Sequence, residues 1–263
     1  AERAAADHSL PLPPRPAGWY RPPTDAEIGR VLERFDVRRV ASEIPGKWVI
    51  AFSLYGDLPM YTEGALKNAR IAARLFPEFI CRFYVGASVP DAVLDALAAM
   101  PNVELVDMAA QPERPSAMFW RFLAAADQDV DVVLVRDADS RLNLRDRAAV
   151  NEWLESGRRF HIMRDANEGN HRAWMLGGMW GCRASALRHI QDLIAEAGAY
   201  EESKGIDQQF LARHVYPQAI ASAIIHDECT DLEPDDFDGK RPFPIPRRNA
   251  WDHVGAILTE DDD

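Results

Sequence analysis

The sequence predicts an α/β fold: one domain on a Rossmann-like, mostly parallel sheet with helices on both faces. Three observations carry that expectation. From Lys47 onward, apolar runs of strand length alternate with segments of helical spacing. The predicted strands are nearly continuous in apolar residues, as strands covered on both faces must be. No internal repeat or linker interrupts residues 45–226, so the alternation belongs to one domain.

The elements follow in order. Thr24 is placed to cap a short amphipathic helix from Asp25 to Phe35. Beyond Pro45-Gly46, Lys47 to Tyr55 is a buried strand. Tyr61 to Phe76 sets Ala65, Ala69, Ala72 and Ala73 with Leu66, Ile71 and Leu75 at helical spacing, and Pro77 stops it. Ile80 to Val85 is a strand, Asp91 to Met100 a helix opened by Pro90, and Val103 to Asp107 a strand. Ala117 to Ala126 is a helix and Val130 to Val135 a strand. A helix around Ala148 to Leu154, a strand Phe160 to Met163, a Gly-rich strand Gly177 to Cys182 and a helix Ala184 to Ala197 come next. Gln208 to Val215 is a shorter helix closed by Pro217, and Ala223 to His226 a last strand. We divide the chain into a leader with a short helix (1–44), a catalytic domain (45–226) and an acidic, Pro-rich segment packing on or covering the site (227–263). That last segment holds Pro234, Pro242, Pro244 and Pro246 and is expected to be irregular.

Composition excludes several classes. The 263 residues carry a formal charge of −12, which argues against nucleic acid or an anionic membrane surface as partner. The last 37 residues hold twelve acids against four bases, so −8 of that charge lies in the tail. No apolar run approaches the roughly 18 residues of a membrane helix. Three scattered cysteines, Cys81, Cys182 and Cys229, offer neither a disulfide framework nor a Cys-x-x-Cys zinc site, which points to a reducing, cytoplasmic setting.

Ligands of open parallel sheets bind beyond the carboxyl ends of the strands. There, Val132-Val133-Leu134-Val135 runs into Arg136-Asp137-Ala138-Asp139. Two carboxylates two residues apart at a strand end are hard oxygen ligands suited to Mg²⁺ or Mn²⁺ with phosphate oxygens. Asp129-Val130-Asp131 and Asp261-Asp262-Asp263 show the same spacing without a preceding strand. Asp207-Gln208 opens a helix, where Asp207 alone would be read as a cap. His226 ends a short apolar strand, a place where histidine is more often structural than a metal ligand. Gly177-Gly178 in a strand signal either close approach of a ligand or a bulge. Tyr55 at a strand end is either a base-stacking ring or core, and Arg121 taken alone is a salt-bridge residue.

The order of these features resembles that of GT-A-fold, Asp-x-Asp, metal-dependent glycosyltransferases, in particular the glycogenin and bacterial lipopolysaccharide galactosyltransferase group. The resemblance spans Lys47 to Asp227 and is one of pattern and order. It implies a GT-A-like domain and transfer of a hexose from a nucleotide-diphosphate sugar, a UDP-sugar first, to a hydroxyl of a glycan or small molecule. By position, Asp137, Asp139 and His226 resemble the ligands of a Mn²⁺ (or Mg²⁺) that bridges the donor diphosphate. Ser53 and Tyr55 fall where the family contacts the nucleotide, and Arg121 and Asp165 near the donor sugar. Gly177 and Gly178 match the strand beside the donor, and Asp207 and Gln208 the pair set against the reactive carbon, with retention of configuration implied. The family's terminal histidine is followed by a glycine and then Lys-Pro-Trp, whereas His226 is followed by Asp-Glu-Cys-Thr-Asp. Arg136 in the metal loop, or Lys240, Arg241, Arg247 or Arg248 in the tail, are candidates for the missing charge.

Other readings use the same motifs. A haloacid-dehalogenase-like phosphohydrolase also carries Asp-x-Asp after a strand, but near its first strand, and three strands precede it here. A nucleotidyltransferase would open with a Gly-rich phosphate loop, which Ser53-Leu54-Tyr55-Gly56-Asp57 is not. A non-catalytic nucleotide-sugar or glycan-binding module would need neither a metal set nor a carboxylate at the reactive carbon. The loop Arg164 to Trp174, with Asn167, Asn170, His171 and Arg172, is polar and long enough to shape an acceptor site.

Overall fold

A computed structural model describes residues 15–16, 18–111, 115–165, 173–198 and 205–258. Asn167, Asn170, His171 and Arg172 of the proposed acceptor loop, residues 1–14 and 17 of the leader and the final Asp triplet lie outside the described residues.

Eight strands form one sheet. In chain order they are β1 (Lys47–Leu54), β2 (Ile80–Val85), β3 (Val103–Asp107), β4 (Val130–Val135), β5 (Phe160–Arg164), β6 (Trp180–Arg183), β7 (Ala223–Asp227) and β8 (Lys240–Arg241). Their spatial order is β3-β2-β1-β4-β6-β5-β7-β8. Every pairing is parallel except those of β6, which runs antiparallel between β4 and β5. The α/β fold and mostly parallel sheet expected from the sequence are what the chain adopts.

Continuity of apolar residues has the expected cause. In β1, Trp48, Ile50, Phe52 and Leu54 face one core layer while Val49 and Ala51 face the other, and β4 divides Val132 and Leu134 from Val133 and Val135 in the same way. Successive side chains of a strand point to opposite faces, so a strand buried on both sides needs an apolar residue at every step. Helices α1 (Asp25–Leu32), α3 (Pro59–Leu75) and α5 (Leu144–Ser156) contribute to the first layer. The second holds a 3₁₀ segment (Ala117–Ala126), α6 (Ile190–Glu196) and α7 (Ile206–Phe210). Thr24 caps α1 reciprocally: Glu27 N–H donates to Thr24 Oγ1, and Thr24 N–H to Glu27 Oε2 at 2.8 Å. Short helices α2 (Val37–Glu43) and α4 (Asp91–Ala98) complete the first half.

Several boundaries differ from the sequence reading. The Gly-rich strand begins at Trp180, so Gly177 and Gly178 stand in the turn before β6. Ala184 to Ala197 divides into a 3₁₀ turn (Ala184–Ala186) and α6. Pro217 does not close the helix after Gln208. α7 passes through a π turn (Leu211–Val215) into α8 (Tyr216–Ala219), which carries the proline in its first turn. The tail adds β8 to the sheet edge, and Ile257 forms a bridge with Ser140. Among the described residues, no helix is long and apolar enough to cross a membrane.

Candidate active site

The sheet changes direction between β1 and β4. From β1 the chain builds outward through β2 and β3, and from β4 through the opposite half. A crevice must open beyond the carboxyl ends of two such neighbours. Arg136 N–H donates to Ala51 O at 3.1 Å as the ladder's last rung, and the chain then turns into Asp137. A cavity of about 310 Å³ lies there. Ser53 and Tyr55 border it from the end of β1, Tyr61 from α3, Asp137 and Asp139 from the loop after β4. Met118 and Arg121 enter from the 3₁₀ segment, and Gly177, Asp207 and Gln208 from the far side.

The 3₁₀ form explains how one segment serves three surroundings. At three residues per turn, positions i and i+3 eclipse, so side chains fall on three ridges. Met118 and Arg121 share the ridge facing the cleft. Phe119 and Phe122 share another, their rings 5.7 Å apart and both against Phe210 in the core. Gln208 sits one residue after Asp207, whose Oδ1 accepts the Gln208 N–H at 2.9 Å. Gly205, in the left-handed conformation, occupies the cap position of α7, so Asp207 is not its cap.

The loop carrying the two carboxylates is held from both sides. Asn68 of α3 donates to Ser140 O at 2.7 Å and accepts the Leu142 N–H at 3.0 Å. From the tail, Leu258 N–H donates to Asp139 O at 2.8 Å. The backbone of this loop is thus fixed in advance.

Charge in the cleft is tightly coupled. Arg121 donates to Asp137 Oδ1 at 2.5 Å and to Asp207 Oδ2 at 3.0 Å. Burial alone would depress the guanidinium, but Asp137 and Asp207 outweigh it and hold the charge. Burial and the neighbouring Asp137 push the Asp139 carboxyl up to about 7. Burial, followed by Asp137, also raises Asp207. Burial and then Asp139 raise the Tyr61 hydroxyl. Ser53 Oγ accepts the Arg121 backbone N–H at 3.1 Å, locking the 3₁₀ segment to β1.

Gly177 and Gly178 are required by these carboxylates. A Cβ at Gly177 would fall 2.1 Å from Asp207 Oδ2, and one at Gly178 would fall 2.0 Å from Asp137 Oδ2. The two glycines form the wall against which Asp137 and Asp207 lie.

No protein-family model matches the sequence, and no curated protein matches it. Solved structures resemble the fold. A mannosyltransferase from Pyrobaculum calidifontis in complex with GDP-Man and Mn²⁺ superposes with TM-score 0.45 at 15% identity, over 80% of this chain and 67% of that one. Mannosyl-3-phosphoglycerate synthase from Rubrobacter xylanophilus gives TM-score 0.45 at 16% identity, over 82% and 80%. A 4-diphosphocytidyl-2C-methyl-D-erythritol synthase from Anaerococcus prevotii gives 0.44 at 12%, over 71% and 90%. These likenesses are of sheet and layer arrangement and assign no residue a role.

Three predicted site residues lie elsewhere. Arg136 turns away from the cleft into a buried bidentate pair with Asp146, at 2.8 and 2.7 Å, and donates also to Val135 O and Trp180 O. Its charge is neutralised before it could meet a diphosphate. Asp165 is fully buried and accepts from Arg145 Nε and Nη2, Arg247 Nε and Nη2, and Val254 N–H. Those bonds occupy its lone pairs, so it clamps the tail and cannot receive sugar hydroxyls. His226 stands at neither Asp137 nor Asp139. Its Nδ1 lies 2.9 Å from His161 Nε2 and its Nε2 3.1 Å from Glu152 Oε2. A carboxylate only accepts, so His226 donates from Nε2 and takes the His161 proton at Nδ1. Burial, then His226 and Arg136, keeps His161 well below the ordinary histidine range.

The tail bases are likewise engaged. Arg247 binds Asp165, Arg248 binds Asp252, Lys240 pairs with Asp231, and Arg241 donates to the carbonyls of Asp238 and Lys240. The sequence reading missed that the tail reaches the Asp-x-Asp loop, where Ile257 bridges Ser140 and Leu258 N–H donates to Asp139 O. Among the described residues, no group of three or more His, Cys, Asp or Glu side chains is arranged to hold a metal ion.

A larger cavity of about 680 Å³ opens where Tyr84 and Val106 meet Leu123 and Ile194. Its Arg82 is paired with Glu104 and Asp127, so these charges satisfy one another. Glu104 and Asp127 of the larger cavity are lowered, as paired carboxylates are, whereas burial raises Asp139 and Asp207 in the smaller cleft.

Proposed function

We propose that the protein is a divalent-metal-dependent glycosyltransferase that moves a hexose from a nucleotide-diphosphate sugar to a hydroxyl acceptor, with retention of configuration. One observation carries the reading: the Asp137/Asp139 pair and the Arg121–Asp207 pair face each other across one cleft at the switch point of the sheet. Two oxygen-donor carboxylates, one pushed up to about 7 beside the other, form a set that a hard dication relieves. Asp137 and Asp139 would hold Mn²⁺ or Mg²⁺, with donor oxygens of the nucleotide sugar completing the set, since no third His, Cys, Asp or Glu side chain joins them among the described residues. Such a cation supplies positive charge against the departing diphosphate.

The residues of the cleft divide the remaining work. Tyr55, exposed at the rim, offers a face for the nucleotide base. Arg121 fixes the orientation of Asp207 while keeping it from pairing with solvent. In the transfer, the bond from the anomeric carbon to the diphosphate oxygen breaks and its electron pair leaves with the nucleoside diphosphate. The acceptor oxygen bonds to that carbon, and its proton passes to the departing phosphate oxygen. Asp207, beside the reacting carbon, stabilises positive charge developing on the sugar ring, and Gln208 hydrogen-bonds the sugar. Asp137 Oδ1 is held by Arg121, which argues against Asp137 as the nucleophile of a phosphohydrolase. The three free cysteines support a reducing, cytoplasmic setting.

Release of nucleoside diphosphate from UDP-, GDP- and dTDP-sugars, with and without Mn²⁺, tests the proposal. Metal-dependent release or binding of at least one donor is expected. Absence of both across the panel refutes it, and the anomeric configuration of the product tests retention.

A further inference from the structure

Among the described residues, four large apolar side chains are exposed: Tyr55 (42%), Leu58 (57%), Trp174 (40%) and Ile257 (42%). All four stand at one end of the sheet. Tyr55 and Leu58 follow β1, and Ile257 bridges to Ser140 in the loop after β4. Trp174 precedes β6, and because β6 runs antiparallel, its leading turn lies at the same end as the carboxyl ends of β4 and β5. Single exposed apolar residues are ordinary. Their confinement to the segments around one cleft marks a binding surface.

Trp174 is built to stay at that surface. Its carbonyl accepts from Arg164 Nη2 at 2.8 Å and Nε at 3.3 Å. Arg164 is itself fully buried between Asp227, at 2.9 Å, and Glu233, at 2.7 Å. The indole lies 4.8 Å from the Tyr216 ring, tilted by 49°, so one face is backed while a large part remains in water. It stands three residues before Gly177, which borders the cleft beside Asp207. Tyr55 borders the same cleft.

We infer that Trp174 is the platform for an apolar group on the acceptor, so that the acceptor is an amphiphilic molecule: a hydroxyl-bearing part reaches Asp207 while an apolar aglycone lies on the indole. This rests on the glycosyl-transfer reading for the hydroxyl and on Trp174's own surroundings for the aglycone. The net charge of −12 opposes an anionic aglycone or an anionic lipid surface.

The test compares p-nitrophenyl glycosides with the corresponding methyl glycosides, both as acceptors and as ligands detected by saturation-transfer NMR without donor. The aryl compounds are expected to bind about tenfold more tightly than the methyl ones, the scale of one well-placed apolar group. Trp174→Ala removes that preference, and Trp174→Phe keeps most of it. If the wild type shows no aryl preference, or Trp174→Ala retains it, the platform assignment is overturned while donor turnover still upholds glycosyl transfer. If aryl binding depends on Trp174 but no nucleotide sugar is bound or hydrolysed, the platform stands and the glycosyl-transfer reading falls.

Discussion

Arg121 Nη2 lies 3.0 Å from Asp207 Oδ2, with both side chains more than nine-tenths buried. Arg121 also reaches Asp137, so one guanidinium ties Asp137 to Asp207. Asp207→Asn keeps the shape and one acceptor oxygen for Arg121 but removes the charge that would face the reacting carbon. We expect nucleotide-sugar affinity within a few-fold of wild type and turnover reduced by more than about 100-fold. Full activity in that variant, measured by nucleoside diphosphate release, would reduce Asp207 to an anchor for Arg121.

Asp139 makes metal-free stability depend on pH in a defined direction. Its carboxyl is raised from the ordinary value to about 7 in the folded chain. A raised acid binds its proton more tightly when folded, so the stabilisation is complete below the unfolded value, near 4, and is lost as pH climbs through 7. Metal-free protein should therefore lose up to about 4 kcal/mol between pH 4 and 7 from this pair. Asp139→Asn flattens that slope, and Mn²⁺ at pH 7 restores stability to wild type but not to the variant. Thermal melts across this range with chelator or Mn²⁺ check it, and identical pH slopes for wild type and variant would refute it.

Much of the fold was legible because period and punctuation agree locally. β2, β3 and β4 begin and end where the sequence reading put them; β2 and β4 are buried along nearly their whole length, while the edge strand β3 is only partly so. The cleft was legible where chemistry follows a strand directly, at Ser53, Tyr55, Asp137 and Asp139. Legibility failed where a residue's role is set by a partner far along the chain. Asp165 finds Arg247, 82 residues on, and Arg136 finds Asp146. Neither pairing leaves a local pattern. The 3₁₀ segment was seen as a helix but not as a three-ridged one, although Met118/Arg121 and Phe119/Phe122 already differ in character at spacing three.

His226 is bound to His161 and Glu152, so its removal should act on stability and not on the metal. His226→Ala should lower the melting temperature, because it leaves the buried His161 proton without an acceptor, while the Mn²⁺ concentration dependence of turnover stays as in wild type. Thermal melts and calorimetric Mn²⁺ titration of the variant decide, and weakened Mn²⁺ binding with an unchanged melt would return His226 to the metal.

Asp165 separates a clamp from a sugar ligand most cleanly. It gathers Arg145 from α5, Arg247 from the tail and the Val254 N–H next to His253. Removing the negative charge takes from the buried Arg145 its bidentate partner and leaves Glu228, at 3.3 Å, as its remaining carboxylate, and breaking a buried pair from one side costs about 3–5 kcal/mol. For a chain of this size, that is a fall of roughly 10 °C in melting temperature. Arg247 is partly exposed, so Arg247→Gln should cost far less, about 1 kcal/mol. Asp165→Asn should also open the tail to protease between β8 and Ile257. A carboxylate that bound sugar hydroxyls would behave oppositely: donor KM would rise, the melt would hardly move, and the tail would stay resistant. Melting temperature, limited proteolysis and donor KM measured on the same preparation distinguish the two, because only the clamp couples all of its effects to the tail.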